Sequence, residues 1–125
     1  MSDDFLGLFE YEPNAITLEP GQVLFHKGDE GRHMYVVRSG ELEVMDGNQV
    51  FETISRGGIL GEMGLLDDNV RSATVRSVGR CTVIPIDQRR FLSMVQQTPF
   101  FAIRVMRVMS ARLRAMNQRA TVLPT

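Results

Sequence analysis

Ten glycines, at Gly21, Gly28, Gly31, Gly40, Gly47, Gly57, Gly58, Gly61, Gly64 and Gly79, cut the middle of the chain into runs too short for helices. The runs between them are rich in β-branched, aromatic and aliphatic residues, as strands are. They are Val23-Leu24-Phe25, Met34-Tyr35-Val36-Val37, Leu42 with Val44 and Met45, Val50-Phe51, Ala73-Thr74-Val75 and Cys81 to Ile86. Glu41-Leu42-Glu43-Val44 alternates polar and apolar, and Asp46-Gly47 is a hairpin signal. Parallel strands would need crossover helices, and there is no room for them. The segment from about 14 to 86 is therefore expected to form an antiparallel sandwich or jelly roll.

The flanks are helical. Phe5, Leu6, Leu8 and Phe9 make one apolar face, and Pro13 stops it, which gives a short N-terminal cap over 1–13. Asp87 is a candidate N-cap for a helix through about Gln97. Thr98-Pro99 then opens a second helix to about Arg119. Ala102, Met106, Met109, Leu113 and Met116 recur at heptad-like spacing, widened by Phe101, Val105 and Val108. That face is wide enough to pack on the chain's own β domain and on a second copy. The tail from Ala120 is expected to be loose.

One domain holds all of this, because the chain has 125 residues. A charged fraction of 23% beside 43% hydrophobic residues excludes a disordered chain. No apolar run is long enough for a membrane span. The acidic start, Met1-Ser2-Asp3-Asp4, does not read as a secretory signal. A single cysteine, Cys81, fits a cytoplasmic protein and forms neither an internal disulfide nor a cysteine metal cluster. A net charge of −1 gives no overall pull toward nucleic acid or anionic lipid. Arg104, Arg107, Arg112, Arg114 and Arg119 make the last stretch basic, which reads as a solvated helix face. His26 and His33 lack clustered partners, so no metal site is expected. No base stands beside a nucleophile, so the chain does not read as an enzyme.

The stretch from Gly57 to Thr74 carries the chemistry. Glycines let backbone approach a ligand closely. Arg71 supplies a planar cation that matches phosphate, and Ser72 supplies a hydroxyl. Glu62 would repel phosphate if it faced it, but it would accept a hydrogen bond from a sugar hydroxyl. On spacing alone, a phosphorylated ribose site competes with a plain tight loop holding a Glu62–Arg71 ion pair.

Gly61-Glu62-Met63-Gly64-Leu65-Leu66 with Arg71-Ser72-Ala73-Thr74 resembles the phosphate-binding cassette, here 61–74, of the cyclic-nucleotide-binding domain family. The likeness extends to Gly21 through Phe25, to Gly28-Asp29, to Met34 through Val44 and to the helices over 87–120. The resemblance implies that Glu62 accepts from the ribose 2′-hydroxyl and that Arg71 pairs with the cyclic phosphate. Ser72 and the N–H groups of Met63 and Ala73 would complete the cradle. Leu60 and Gly61 would line the sugar, Val44 would pack near the base, and Asn117 would meet a purine edge. Met116 stands where the family's catabolite activators carry a polar residue. The implied function is non-catalytic binding of a cyclic nucleotide, cyclic AMP rather than cyclic GMP on the strength of Ser72. The chain is expected to act as a stand-alone sensor without a DNA-binding domain. It would signal through its last helix to an unidentified effector or to a second copy through 99–119. The alternatives are a nucleotide-independent dimerisation or interaction module on the same fold, and a member tuned to another small ligand.

Overall fold

A computed structural model describes residues 7, 9, 11–66 and 70–121. Among the described residues eight strands form two four-stranded antiparallel sheets, in the order β1-β8-β3-β6 and β2-β7-β4-β5. Their spans are β1 Ile16–Leu18, β2 Val23–Phe25, β3 Met34–Ser39, β4 Leu42–Asp46, β5 Gln49–Ile54, β6 Ile59–Leu60, β7 Thr74–Ser77 and β8 Cys81–Ile86. Three helices accompany them among the described residues: α1 Met63–Leu66, α2 Gln88–Gln97 and α3 Phe100–Thr121. The expected β-sandwich with C-terminal helices is the observed fold, and the Asp46-Gly47 turn joins β4 to β5. Of the expected N-terminal cap over 1–13, Gly7, Phe9 and residues 11–13 are described; Gly7 and Phe9 are in 3-10 geometry, and Phe9 is fully buried. Phe5, Leu6 and Leu8 lie outside the described residues, as do residues 122–125, while Ala120 and Thr121 of the tail expected to be loose instead continue α3.

The first sheet is buried on both faces, and the period-2 alternation of its strands sorts the side chains. Met34 and Val36 of β3, Ile59 of β6 and Ile84 and Ile86 of β8 face the helices, where they meet Phe9, Met94, Phe101 and Val105. Val37 of β3, Leu60 of β6 and Cys81 and Val83 of β8 face the second sheet, where they meet Leu42, Ile54 and Val75. Burial on both sides explains why β3 and β8 read as nearly continuous apolar runs. It also pushes the Cys81 thiol up from its ordinary value, by desolvation.

Asp87 caps α2, its carboxylate accepting from the Arg90 N–H at 2.8 Å. The Thr98 and Pro99 carbonyls accept from Phe101 and Ala102, which turns the chain into α3. The face that α3 packs inward is Phe101, Val105, Val108 and Met109. Met106, Leu113 and Met116 of the heptad-like stripe are exposed instead.

Candidate functional site

The turn from β6 into α1 is shaped by Gly61, whose φ of +74° favours glycine. Its carbonyl accepts from the Gly64 N–H, and that of Glu62 from the Leu65 N–H. This folds a single helical turn and places Glu62 on the inner side, 7% exposed. Arg71 arrives from the opposite direction. Its backbone is zipped to the loop after β2: the Arg71 N–H donates to Asp29, and the Gly28 N–H donates to Arg71.

Among the described residues no acid holds the Arg71 guanidinium. Nη2 donates to the His33 carbonyl at 2.8 Å and Nη1 to the Gly61 carbonyl at 3.3 Å. Its Cζ lies 4.2 Å from the Phe25 ring centroid and 5.8 Å from that of Tyr35. The residue is 6% exposed, and Nε is buried without a hydrogen-bond partner. Burial lowers its pKa from the ordinary arginine value, against the upward pull of the Tyr35 hydroxyl and of Asp29 and Glu62. A buried cation on neutral carbonyls and aromatic faces, with no described carboxylate in ion-pair contact, is a ready partner for an anion.

Glu62 does not pair with Arg71. Its carboxylate accepts from Arg112 Nη1 of α3 at 2.6 Å. The same guanidinium donates from Nη2 to the Ile59 carbonyl at 2.6 Å, and from Nε and Nη2 to the two carboxylate oxygens of Glu52 on β5, at 3.0 and 3.3 Å. Burial works against the charge of Arg112, but Glu62 and Glu52 outweigh it and raise the pKa above the ordinary value. One turn of α3 is thereby bound to the carboxylate that the sequence marks for a ribose. Eight residues earlier, Arg104 donates to the Gly57 carbonyl at 3.0 Å, so two arginines of α3 grip the loop around β6.

Leu60 is buried, Gly61 and Ala73 are half-buried, and Ser72 and Met63 are exposed. Val44 is half-buried and packs on the inter-sheet core, as Phe25 and Tyr35 also do. Across β4 and β5 it pairs with Glu52, which puts the two on one face. Asn117 is exposed. It lies about 140° round the helix from Arg112, whereas Met116 lies only about 40° round.

Sequence reasoning missed Arg112, which it read as part of a solvated basic face. The signal was there: Phe101, Val105, Val108 and Arg112 are spaced 4, 3 and 4, so an arginine occupies the inward stripe. It also missed Glu52 and Phe25 as members of the site.

Among the described residues no helix is long and apolar enough to cross a membrane. Residues 15–98 match the family model of the cyclic nucleotide-binding domain. The lysophospholipase NTE1 of Chaetomium globosum is 27% identical over 81% of this chain, which spans 7% of that protein's length. The Thermus thermophilus catabolite activator protein shares the fold with a TM-score of 0.75, at 24% identity, over 86% of this chain and 53% of its own. A solved structure from work on a cyclic-GMP-dependent signalling pathway that regulates bacterial phytopathogenesis has a TM-score of 0.76 at 25% identity, over 91% of this chain and 95% of its own. With the cassette glycines, Glu62 and Arg71 at the site the family model spans, the chain belongs to the cyclic nucleotide-binding domain family.

Proposed function

We propose that the chain binds a cyclic nucleotide without chemical change and passes its occupancy to α3. The carrying observation is Arg71, a cation 6% exposed whose hydrogen bonds go to neutral carbonyls. A cyclic phosphate supplies the counter-charge that no described residue gives Arg71 in ion-pair contact. The ribose 2′-hydroxyl donates to Glu62, with Ser72, Met63 and Ala73 completing the phosphate contacts. Glu62 already accepts from Arg112, so a ribose hydroxyl takes part of the same acceptor capacity and weakens the hold on α3. The ligand shifts α3 only by its differential affinity for the two seatings.

Cyclic AMP is the first reading, on Ser72. Cyclic GMP is the second, favoured by the related structure from a cyclic-GMP-dependent pathway. The exposed Met106, Leu113 and Met116 stripe is the proposed output, offered to a second copy through 99–119 or to an effector in the cytoplasm.

The test is calorimetry with both nucleotides on the parent chain and on Arg71→Ala. Charge-assisted hydrogen bonds contribute about 1.5–3 kcal/mol each, so the variant is expected to bind about a hundredfold more weakly. Binding unaffected by the substitution would overturn the site. Absence of binding by the parent chain, with a stable dimer, would favour the nucleotide-independent interaction module.

A further inference from the structure

Arginine is a long side chain, and a buried one must be aimed by what surrounds it. A carboxylate is the usual guide, and among the described residues none is in ion-pair contact with Arg71. Its surroundings are of another kind. The Phe25 ring lies under the guanidinium at 4.2 Å, with Tyr35 further off at 5.8 Å. The two rings are 6.1 Å apart and tilted 33° to each other. Along the guanidinium edge stand positions without side chains. A Cβ on Gly31 would fall 2.0 Å from Nε and 2.3 Å from Cζ. A Cβ on Gly61 would fall 2.8 Å from Nη1, and one on Gly64 3.1 Å from Nη1 and 2.6 Å from the Gly31 carbonyl. The φ of Gly31 is not in the left-handed region, so its backbone would tolerate a side chain and only the space forbids one.

We infer that Phe25 and Gly31 are positioning residues for the ligand phosphate, acting through Arg71. The inference rests on the cyclic-nucleotide reading and deepens it. Phe25 holds the guanidinium plane by a cation–π contact in a desolvated place, where such contacts are strongest. Gly31 leaves the slot open on the edge that carries Nε. The two carbonyl hydrogen bonds fix rotation within the slot. The arrangement keeps the positive charge for the ligand, because among the described residues no carboxylate is in ion-pair contact with it. Phe25 belongs to β2 and Gly31 to the loop that follows, so a segment outside the cassette sets the cassette's geometry.

The experiment compares Phe25→Leu, Phe25→Trp and Gly31→Ala with the parent chain. Cyclic AMP and cyclic GMP affinities are read by calorimetry, and the Arg71 Nε–H signal by proton–nitrogen correlation NMR of the ligand-free protein. Phe25→Leu and Gly31→Ala are expected to weaken binding about tenfold or more, while Phe25→Trp stays within about threefold, because indole is at least as good a cation–π partner. The Arg71 Nε–H signal is expected upfield in the parent chain, shielded by the ring, and to return downfield in Phe25→Leu. Affinity unchanged in Phe25→Leu, or an Nε–H signal indifferent to the loss of the ring, would overturn the inference. The NMR reading needs no ligand. A parent chain that takes neither nucleotide therefore refutes the binding reading, and the Nε–H signal still judges the slot.

Discussion

Glu62 and Arg71 sit close in sequence and have opposite charge, yet each has a different partner. Arg71 rests on carbonyls and rings with its Nε unpartnered, and Glu62 accepts from Arg112. A direct Glu62–Arg71 pair would have cancelled the charges that a sugar phosphate needs. Glu62→Gln keeps the size and loses the charge, so it is expected to weaken both the hold of Arg112 and acceptance of a ribose hydroxyl. The expected loss of nucleotide affinity is about tenfold, read by calorimetry beside Arg71→Ala. Cys81 provides a control at this scale. Its thiol is 1% exposed and its pKa is raised by burial, so it is expected to react with a thiol reagent only when the fold opens.

At the scale of elements, the strands and their turns were legible because glycine spacing and apolar runs report them directly. The runs Val23–Phe25 and Cys81–Ile86 coincide with β2 and β8. β1 and β6 were not legible, having three and two residues and too little pattern to register. The cassette glycines and Arg71 were legible as a set, but the partners that aim them were not. Glu52, Phe25 and Arg112 come from distant strands and a distant helix, and only the closed fold brings them together. α3 offers a direct test. Arg112→Ala leaves Glu62 buried without its cation, which is expected to cost about 2–3 kcal/mol. Glu52→Gln removes only the more exposed carboxylate and is expected to cost less. Chemical denaturation measures both. A second ion pair ties the N-terminal segment to α2: Arg90 donates to Glu12 and, by that hydrogen bond, holds the carboxyl below its ordinary value despite an opposing desolvation effect. A depressed carboxylate stabilises above its unfolded pKa of about 4.3, and the gain is lost as pH falls through the folded value. Glu12→Gln is therefore expected to be less stable than the parent chain at neutral pH by up to about 1 kcal/mol. The difference should shrink as pH falls through the depressed value of the folded carboxyl and vanish below it.

For the whole molecule, the question is how occupancy of a buried site reaches the surface. Arg104 and Arg112 tie α3 to the loop around β6, while Met106, Leu113 and Met116 stand exposed on the same helix. A second copy seated on that stripe would make the chain a dimer. Leu113→Glu combined with Met116→Glu is then expected to sediment as a monomer where the parent chain does not, and equal sedimentation would place the output elsewhere. The central claim is that one ligand engages Arg71 and loosens Arg112 together. The most direct measurement is a nucleotide titration followed by proton–nitrogen NMR at the Nε–H groups of both arginines. The account predicts that both signals move along one saturation curve in the parent chain, and that the Arg112 signal stays fixed in Arg71→Ala at the same nucleotide concentrations. An Arg71 signal that shifts while Arg112 stays fixed would contradict the coupling, and two fixed signals at saturating nucleotide would contradict the site itself.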